Sequence, residues 1–171
     1  MFNALPHLRF ATDEQTPKYP KGISGSIPPP GFTTRASITH LHAALFNLMT
    51  SGEGVALFKD MISKLDKEEL HRMASLLTSD SNYFTEIATN KYGSRHIQKL
   101  LGKSDDVDKL FCAAIVRCFL HIMTDKYASY VAIRAMIVFD KEKKKAMYKH
   151  ILHNVLDLAC DQHAFIALNE I

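Results

Sequence analysis

Ile87-Ala-Thr-Asn-Lys-Tyr-Gly93 is a segment that returns twice further along the chain, as Ile122-Met-Thr-Asp-Lys-Tyr-Ala128 and as Leu158-Ala-Cys-Asp-Gln-His-Ala164. The copies start 35 and then 36 residues apart. Apolar residues repeat at the same offsets on both sides of the segment: Phe84, Phe119 and Val155 before it, and Ile97, Ala132 and Leu168 after it. A period in this range is typical of stacked units, because each unit can bury its apolar face only against its neighbours. The sequence therefore predicts a solenoid of repeated units.

The region that carries these copies is predicted to be helical. All six prolines lie between Pro6 and Pro30, and apolar residues beyond Phe32 recur at helical spacing. Helix starts are marked by side chains that can accept hydrogen bonds from free backbone amides: Asp66 with Glu69, Ser104 with the acidic residues after it, and Asp140. No alternating strand pattern competes with these signals. An all-α fold is therefore predicted from Ile38 onward.

Each unit is predicted to contain three helices. The first helix ends at a tight polar corner near Asn90, the second starts at about Tyr92, and the third leads into the next unit. The residue that follows Tyr92 and its counterparts in the other copies are small: Gly93, Ala128 and Ala164. Small residues here let adjacent backbones approach closely.

The chain divides into three predicted parts. Residues 1–37 form a flexible, disordered leader, because they hold all six prolines and three of the seven glycines. Residues 38–80 hold N-terminal helices, which are either a degenerate repeat or helices outside the pattern. The degenerate repeat is suggested by apolar matches at an offset of 39, which pair Leu45, Leu48, Phe58 and Met61 with Phe84, Ile87, Ile97 and Leu100. The repeats proper are expected at about 81–115, 116–151 and, in shortened form, 152–171.

Composition argues against several other classes of protein. The formal net charge of +3 is far below that of proteins that bind nucleic acid by charge alone. Cys112, Cys118 and Cys160 form no CxxC pair, so we expect free, buried thiols in a reducing compartment. No apolar run approaches the ~20 residues of a membrane span, and the first residues lack the pattern of a signal peptide. These features predict a soluble, cytoplasmic protein.

No cofactor, metal site or catalytic site is predicted. The histidine pairs His40 with His42 and His150 with His153 lack further ligands at metal-site spacing. No nucleophile, base and orienting acid form a recognisable set. The chain is therefore not expected to be an enzyme.

The residues Asn90-Lys-Tyr-Gly-Ser-Arg-His-Ile-Gln98, followed by Lys-Leu-Leu, closely resemble the RNA-facing helix of the Pumilio (PUF) family. The resemblance covers about residues 81–171 and includes the period as well as the motif. The last stretch, from Asp161 to Ile171, looks like a divergent copy of the kind that plant relatives carry. The chain is identified as a short, divergent, plant-type member, which implies a right-handed, armadillo-like α-solenoid of three-helix repeats.

The resemblance also implies a set of RNA-binding residues. In the family, the second helices line a concave face, and each offers one nucleotide two side chains that read the base edge and one that stacks. Ser94 and Gln98 match the edge-reading pair and Arg95 matches the stacking residue, a combination that resembles an adenine reader. The later repeats depart from this pattern, and their matching residues are Ser129, Tyr130 and Ile133, then Phe165, Ile166 and Asn169. Of these, Ser129, Tyr130 and Asn169 are the candidates for RNA contact.

Two functions are open at this stage. The first is sequence-specific binding of single-stranded RNA at sites in the 3'-untranslated region of messenger RNA, which controls translation and stability. The second is a protein-interaction solenoid that has lost RNA recognition. The run from Lys141 to Lys145 is expected to be a solvated outer face. Leu156, Leu168 and Ile171 are expected to form an open apolar edge, where the chain self-associates or binds a protein partner.

Overall fold

A computed structural model describes the backbone of residues 35–171 and the side chains from His40 onward. Most of the predicted leader, residues 1–34, lies outside the described residues. The described part is helical and contains no strand, which confirms the all-α prediction. The first helix begins three residues earlier than predicted. The helices are α1 (Arg35–Thr50), α2 (Gly54–Lys64), α3 (Lys67–Thr78), α4 (Ser81–Ala88), α5 (Lys91–Leu100), α6 (Asp105–Arg117), α7 (Phe119–Thr124), α8 (Ser129–Val138), α9 (Lys141–His153), α10 (Val155–Cys160) and α11 (Gln162–Glu170).

The helices are arranged in three layers that repeat along the chain. Helices α2, α5, α8 and α11 pack one against the next and form the inner layer. The third helices α3, α6 and α9 pack in the same order, as do α1, α4, α7 and α10. Every third helix therefore returns to the same layer, which confirms the predicted solenoid of three-helix units.

A polar corner precedes each of the last three inner-layer helices. The Asn90 side chain accepts hydrogen bonds from the backbone N–H groups of Tyr92 at 2.8 Å and Gly93 at 3.1 Å. The Asp125 side chain accepts the equivalent bonds from the backbone N–H groups of Tyr127 and Ala128, both at 2.8 Å. The Asp161 side chain accepts them from His163 and Ala164, both at 2.9 Å. These caps satisfy amides that have no partner inside the helix. The predicted caps are also present: Asp66 with Glu69 as a capping box, Ser104 and Asp140.

The core is continuous from the first unit to the last. Phe58 of α2 and Ile97 of α5, which match at the offset of 39, are both fully buried. Phe84 and Phe111 lie behind them with their ring centroids 6.3 Å apart. The core extends to Ala167 of α11, so every unit contributes to one apolar interior rather than to a separate one.

Gly93 lies where the backbones of α4 and α5 approach each other closely. A Cβ atom added to Gly93 would lie 2.1 Å from the carbonyl oxygen of Ile87, far inside van der Waals contact. Ala128 and Ala164 are also buried at the equivalent positions. The predicted close approach at this corner is therefore present, and it is tight enough at Gly93 to exclude a methyl group.

Two predictions about surface residues are wrong. Lys143, placed in the solvated outer run, is only 9% exposed, and its Nζ binds Asp105 at 2.6 Å as well as Asp140. This lysine joins the starts of α6 and α9, because both helices begin with carboxylates that face the seam between units. Cys160 was expected to be buried but is exposed, whereas Cys112 is buried and Cys118 partly buried.

Gly93→Ala is expected to lower the free energy of unfolding by about 1–3 kcal/mol, because the new methyl group must displace the Ile87 backbone. Gly52→Ala is the matched control. The nearest atoms to its Cβ would belong to the far end of the Tyr92 side chain, with the hydroxyl at 3.1 Å and Cζ at 3.2 Å, and no backbone atom would have to move. Urea unfolding of both variants measures the difference, and equal stability of the two variants would contradict the close approach.

Candidate nucleic-acid interface

A groove along α5, α8 and α11 brings most of the predicted site residues together. We call it the reading groove; its volume is about 520 Å³. Its lining includes Ser94, Arg95, Gln98, Ser129 and Tyr130, which are five of the six candidates. The sixth, Asn169, is exposed near the end of α11 and does not line the groove.

Flat and apolar surfaces recur along the reading groove at one position of each unit. Arg95 is exposed, Tyr130 is 53% exposed and Ile166 is 47% exposed. All three line the groove on successive inner-layer helices. Ile133 lines it too, in the position that Gln98 holds in the preceding unit. Phe165 is exposed but outside the lining. The groove therefore offers a guanidinium plane, an aromatic ring and aliphatic side chains.

Ser94 is less accessible than the sequence suggested. Its side chain is 2% exposed, and its hydroxyl donates a hydrogen bond to the backbone oxygen of Tyr127 at 2.7 Å. The same hydroxyl oxygen accepts a bond from Gln98 Nε2 at 3.1 Å. Ser129 is similarly buried, at 5% exposure. The half-buried Gln98 is therefore the polar side chain of this pair that is open to the groove.

A second groove lies between α2, α5 and α8, and we call it the basic groove. Its volume is about 1060 Å³. Its lining includes five positively charged side chains and no carboxylate; the five are Lys59, Arg95, Lys99, Lys103 and Arg134. Arg95 and Gln98 line both grooves, so the two are adjacent. Five cations in a lining that contains no carboxylate make this surface suited to anions.

Four of these cations were not predicted as site residues, although two features of the sequence indicated some of them. Arg95 and Lys99 are four residues apart, which places them on one side of α5, and Lys103 follows in the loop after that helix. Lys99 and Arg134 lie 35 residues apart and therefore occupy the same position in successive units. Lys59 has no comparable signal, because its nearness to α5 depends on how α2 packs.

His96 forms part of the wall of the basic groove and is 1% exposed. Its ring lies over Phe58, with the centroids 4.2 Å apart. Its Nδ1 bonds the carbonyl oxygen of Met49 at 2.9 Å, so Nδ1 must carry a proton. Nε2 has no hydrogen-bond partner among the described residues. Burial therefore lowers the pKa of His96, despite the opposing bond to Met49, and the nearby charge of Lys99 lowers it further.

The described residues contain neither a candidate membrane span nor a candidate metal site. None of the helices between residues 35 and 171 is long and apolar enough to cross a membrane. No group of three or more His, Cys, Asp or Glu side chains in that part of the chain could hold a metal ion.

The fold and the grooves define a class: a helical repeat protein whose inner layer carries stacking surfaces and positive charge. Comparison with known proteins gives the family. A model described as "Pumilio-family RNA binding repeat" matches residues 83–114, 118–152 and 154–164. Those segments coincide with the units that contain α4–α6, α7–α9 and α10–α11. The chain belongs to the Pumilio family.

Two Arabidopsis thaliana relatives match the whole chain. Pumilio homolog 18 is 70% identical and putative pumilio homolog 19 is 67% identical, each over 171 residues. The chain spans about half the length of these relatives, 49% in both cases. The predicted plant-type membership is confirmed.

Solved structures share the fold at low sequence identity. The Puf4 RNA-binding domain, bound to the 3' UTR recognition sequence of HO endonuclease RNA, gives a TM-score of 0.68 at 20% identity, covering 79% of this chain and 42% of that one. The RNA-binding domain of yeast Puf5p, bound to MFA2 RNA, gives 0.65 at 14% identity, covering 78% and 38%. These likenesses confirm the solenoid fold.

Protonation of His96 is expected to destabilise the protein. Because the folded-state pKa lies below the unfolded value of 6.5, the unfolded chain binds more protons as the pH falls through about 6.5. Stability is therefore complete above about pH 6.5 and declines below it, toward the folded pKa. His96→Phe, which keeps the ring over Phe58, should flatten this decline in urea midpoints measured between about pH 7.5 and about pH 5.5.

The control for this experiment is His121→Gln, because His121 is exposed on α7. That variant should retain the pH dependence of the wild type. An unchanged decline in His96→Phe would show that other groups cause it.

Proposed function

We propose that the chain binds single-stranded RNA along its inner layer, with bases in the reading groove and phosphates along the basic groove. The observation that carries this proposal is the alignment of Arg95, Tyr130 and Ile166 on successive helices of one groove. The likeness to domains that were solved with RNA supports it. The family model, described as an RNA-binding repeat, supports it as well.

Bases are proposed to stack against the exposed side chains of the reading groove. Arg95 and Tyr130 present a planar guanidinium and a ring to solvent, and each base has two flat faces that such groups can cover. Ile166 offers only an apolar contact. Stacking on an aromatic side chain contributes about 1–3 kcal/mol per base and tolerates any base. These positions therefore supply affinity rather than sequence preference.

Base preference is proposed to come mainly from Gln98. Its carboxamide is a donor and an acceptor in one group, which suits the adenine edge that the family motif implies. Ile133 holds the corresponding position in the next unit and cannot form a hydrogen bond. Asn169 follows in the third unit, outside the reading groove. Sequence-specific readout is therefore concentrated in the unit formed by α4–α6.

The unit formed by α1–α3 is proposed to be a degenerate repeat that extends the RNA-binding surface. Its helix α2 packs against α5 in the inner layer and supplies Lys59 to the basic groove. Phosphate contacts carry no sequence information, so a degenerate unit can still bind the RNA backbone.

The biological role that fits this surface is control of messenger RNA. We propose binding at 3'-untranslated sites in the cytoplasm, with effects on translation and stability. The protein-interaction alternative is favoured by one observation, the exposure of Leu152 and Leu156 at 73% and 79% on α9 and α10. The sequence predicted an open apolar edge formed by Leu156, Leu168 and Ile171. Leu156 is exposed, but Leu168 and Ile171 are partly buried and pack against the core. Self-association or a protein partner would use the side of Leu152 and Leu156.

Arg95→Ala is expected to weaken binding to all single-stranded RNA oligomers, because it removes a stacking plane and a charge. The loss should be about 5-fold to 150-fold, the equivalent of about 1–3 kcal/mol. Gln98→Ala should instead reduce discrimination between bases at one position of an adenine-containing oligomer. Fluorescence anisotropy at constant, moderate salt measures both effects. Lys149→Ala on the exposed side of α9 is the control, and equal affinities for all four proteins would favour the protein-interaction alternative.

Neutralising the basic groove is expected to reduce the salt dependence of RNA binding. Lys99→Gln, Lys103→Gln and Arg134→Gln should each lower the slope of log affinity against log salt by about 0.7, because each removes one phosphate contact to a single strand. Affinity should fall similarly for every oligomer sequence. Lys145→Gln, on the outer helix α9, should leave the slope unchanged. A slope that stays at the wild-type value in all three groove variants would place the phosphates elsewhere.

A further inference from the structure

We infer that Ser94 is a positioning residue that fixes the orientation of the Gln98 amide. It thereby sets the order in which the unit formed by α4–α6 offers a donor and an acceptor to a base. This inference rests on the proposed RNA binding. It departs from the edge-reading role that the family motif implies for Ser94. The observation behind it is a chain of two hydrogen bonds, from the Tyr127 oxygen through Ser94 to Gln98.

The positions of the protons in these two hydrogen bonds can be assigned without ambiguity. A hydroxyl has one proton, and a backbone carbonyl can only accept, so the proton of Ser94 lies in the 2.7 Å bond to Tyr127. The Ser94 oxygen can then only accept from Gln98. The Gln98 atom that lies 3.1 Å away must therefore be Nε2, which carries hydrogen, and not Oε1. Turning the amide over would bring two acceptors together with no proton between them.

A fixed amide has a direct consequence for base recognition. Gln98 lines the reading groove, where its Oε1 and second Nε2 proton stay available. Because Nε2 is tied to Ser94, these two groups point into the groove in one order only. Bases differ in the order of donors and acceptors along their edges. An amide held in one order prefers bases of the matching order, whereas an untied amide can turn to suit either.

The next unit holds this orientation in place. Tyr127 belongs to the corner before α8, and its backbone N–H donates to Asp125 at 2.8 Å. The Tyr127 oxygen, which accepts the hydrogen bond from the Ser94 hydroxyl, is thus part of a capped turn. Ser129 occupies the position of Ser94 in that unit, but its partner position holds Ile133, which has no amide to orient. Of these two units, only the one that contains α5 therefore has an amide that a serine can orient.

The test uses the full 171-residue chain and a set of single-stranded RNA oligomers that differ at one position only. That position is the one at which the Gln98→Ala variant no longer distinguishes between bases. Ser94→Ala should reduce discrimination at that base by about 5-fold to 150-fold, because the disfavoured bases bind more tightly. In the Gln98→Ala background, Ser94→Ala should change no affinity by more than about twofold. Lys149→Ala, on the exposed side of α9 and outside both grooves, should leave discrimination at that base within about twofold of wild type.

Two results would overturn the inference. The first is wild-type discrimination in Ser94→Ala. The second is further weakening by Ser94→Ala in the Gln98→Ala background, which would make Ser94 a direct base contact. Ser94→Ala should fold, as thermal melts can check, because the Tyr127 oxygen also accepts from the Tyr130 backbone N–H at 3.3 Å.

NMR of the RNA-free chain separates failure of this inference from failure of the proposed function. One Gln98 side-chain amide proton should be shifted by its bond to Ser94 in the wild type, and not in Ser94→Ala. Absence of that difference would overturn the fixed orientation. A wild-type chain that shows the difference but binds no RNA would overturn the proposed function, and with it the role of Ser94 in specificity.

Discussion

The capped corner before each of α5, α8 and α11 is the constraint on which the rest of the structure depends. Asn90, Asp125 and Asp161 each hold two backbone amides that no helical carbonyl can reach. Such caps contribute about 1 kcal/mol apiece, but their larger effect is geometric. Because the cap fixes where α5 and α11 begin, it also fixes which residues of each helix face the groove. A shift of one residue would turn these faces by about 100° and scatter the stacking positions.

The fold followed from the sequence because period and caps are local signals. The 35-residue and 36-residue offsets predicted the last three units, and Asp66, Ser104 and Asp140 marked helix starts that the structure confirms. Burial of an individual residue was predicted less well, because it depends on packing between units. Lys143 sits in a run of charges that looks solvated along the chain. It is buried because α6 brings Asp105 to it across the seam.

At the candidate interface too, the positions of residues followed from the repeat, whereas their contacts depended on packing between units. The repeat register correctly brought Arg95, Gln98 and Tyr130 into one groove. It could not show that the Ser94 hydroxyl is already bonded to Tyr127, since that contact joins atoms 33 residues apart. Nor could it bring Lys59 beside α5, because the offset of 39 aligns Lys59 with Gln98 rather than with another cation. Contacts that cross from one unit to the next therefore set the chemistry of individual side chains.

Under the proposed function, affinity and specificity come from different side chains of the same layer. Stacking on Arg95 and Tyr130 and phosphate contacts in the basic groove are indifferent to base identity. A hydrogen-bonded amide such as Gln98 contributes about 1–3 kcal/mol of discrimination between bases. Ile133 cannot contribute this term, yet it keeps an apolar wall beside Tyr130 and so preserves the surface for a stacked base. A unit can therefore lose base discrimination and still hold RNA, because the two properties depend on separate positions of one helix.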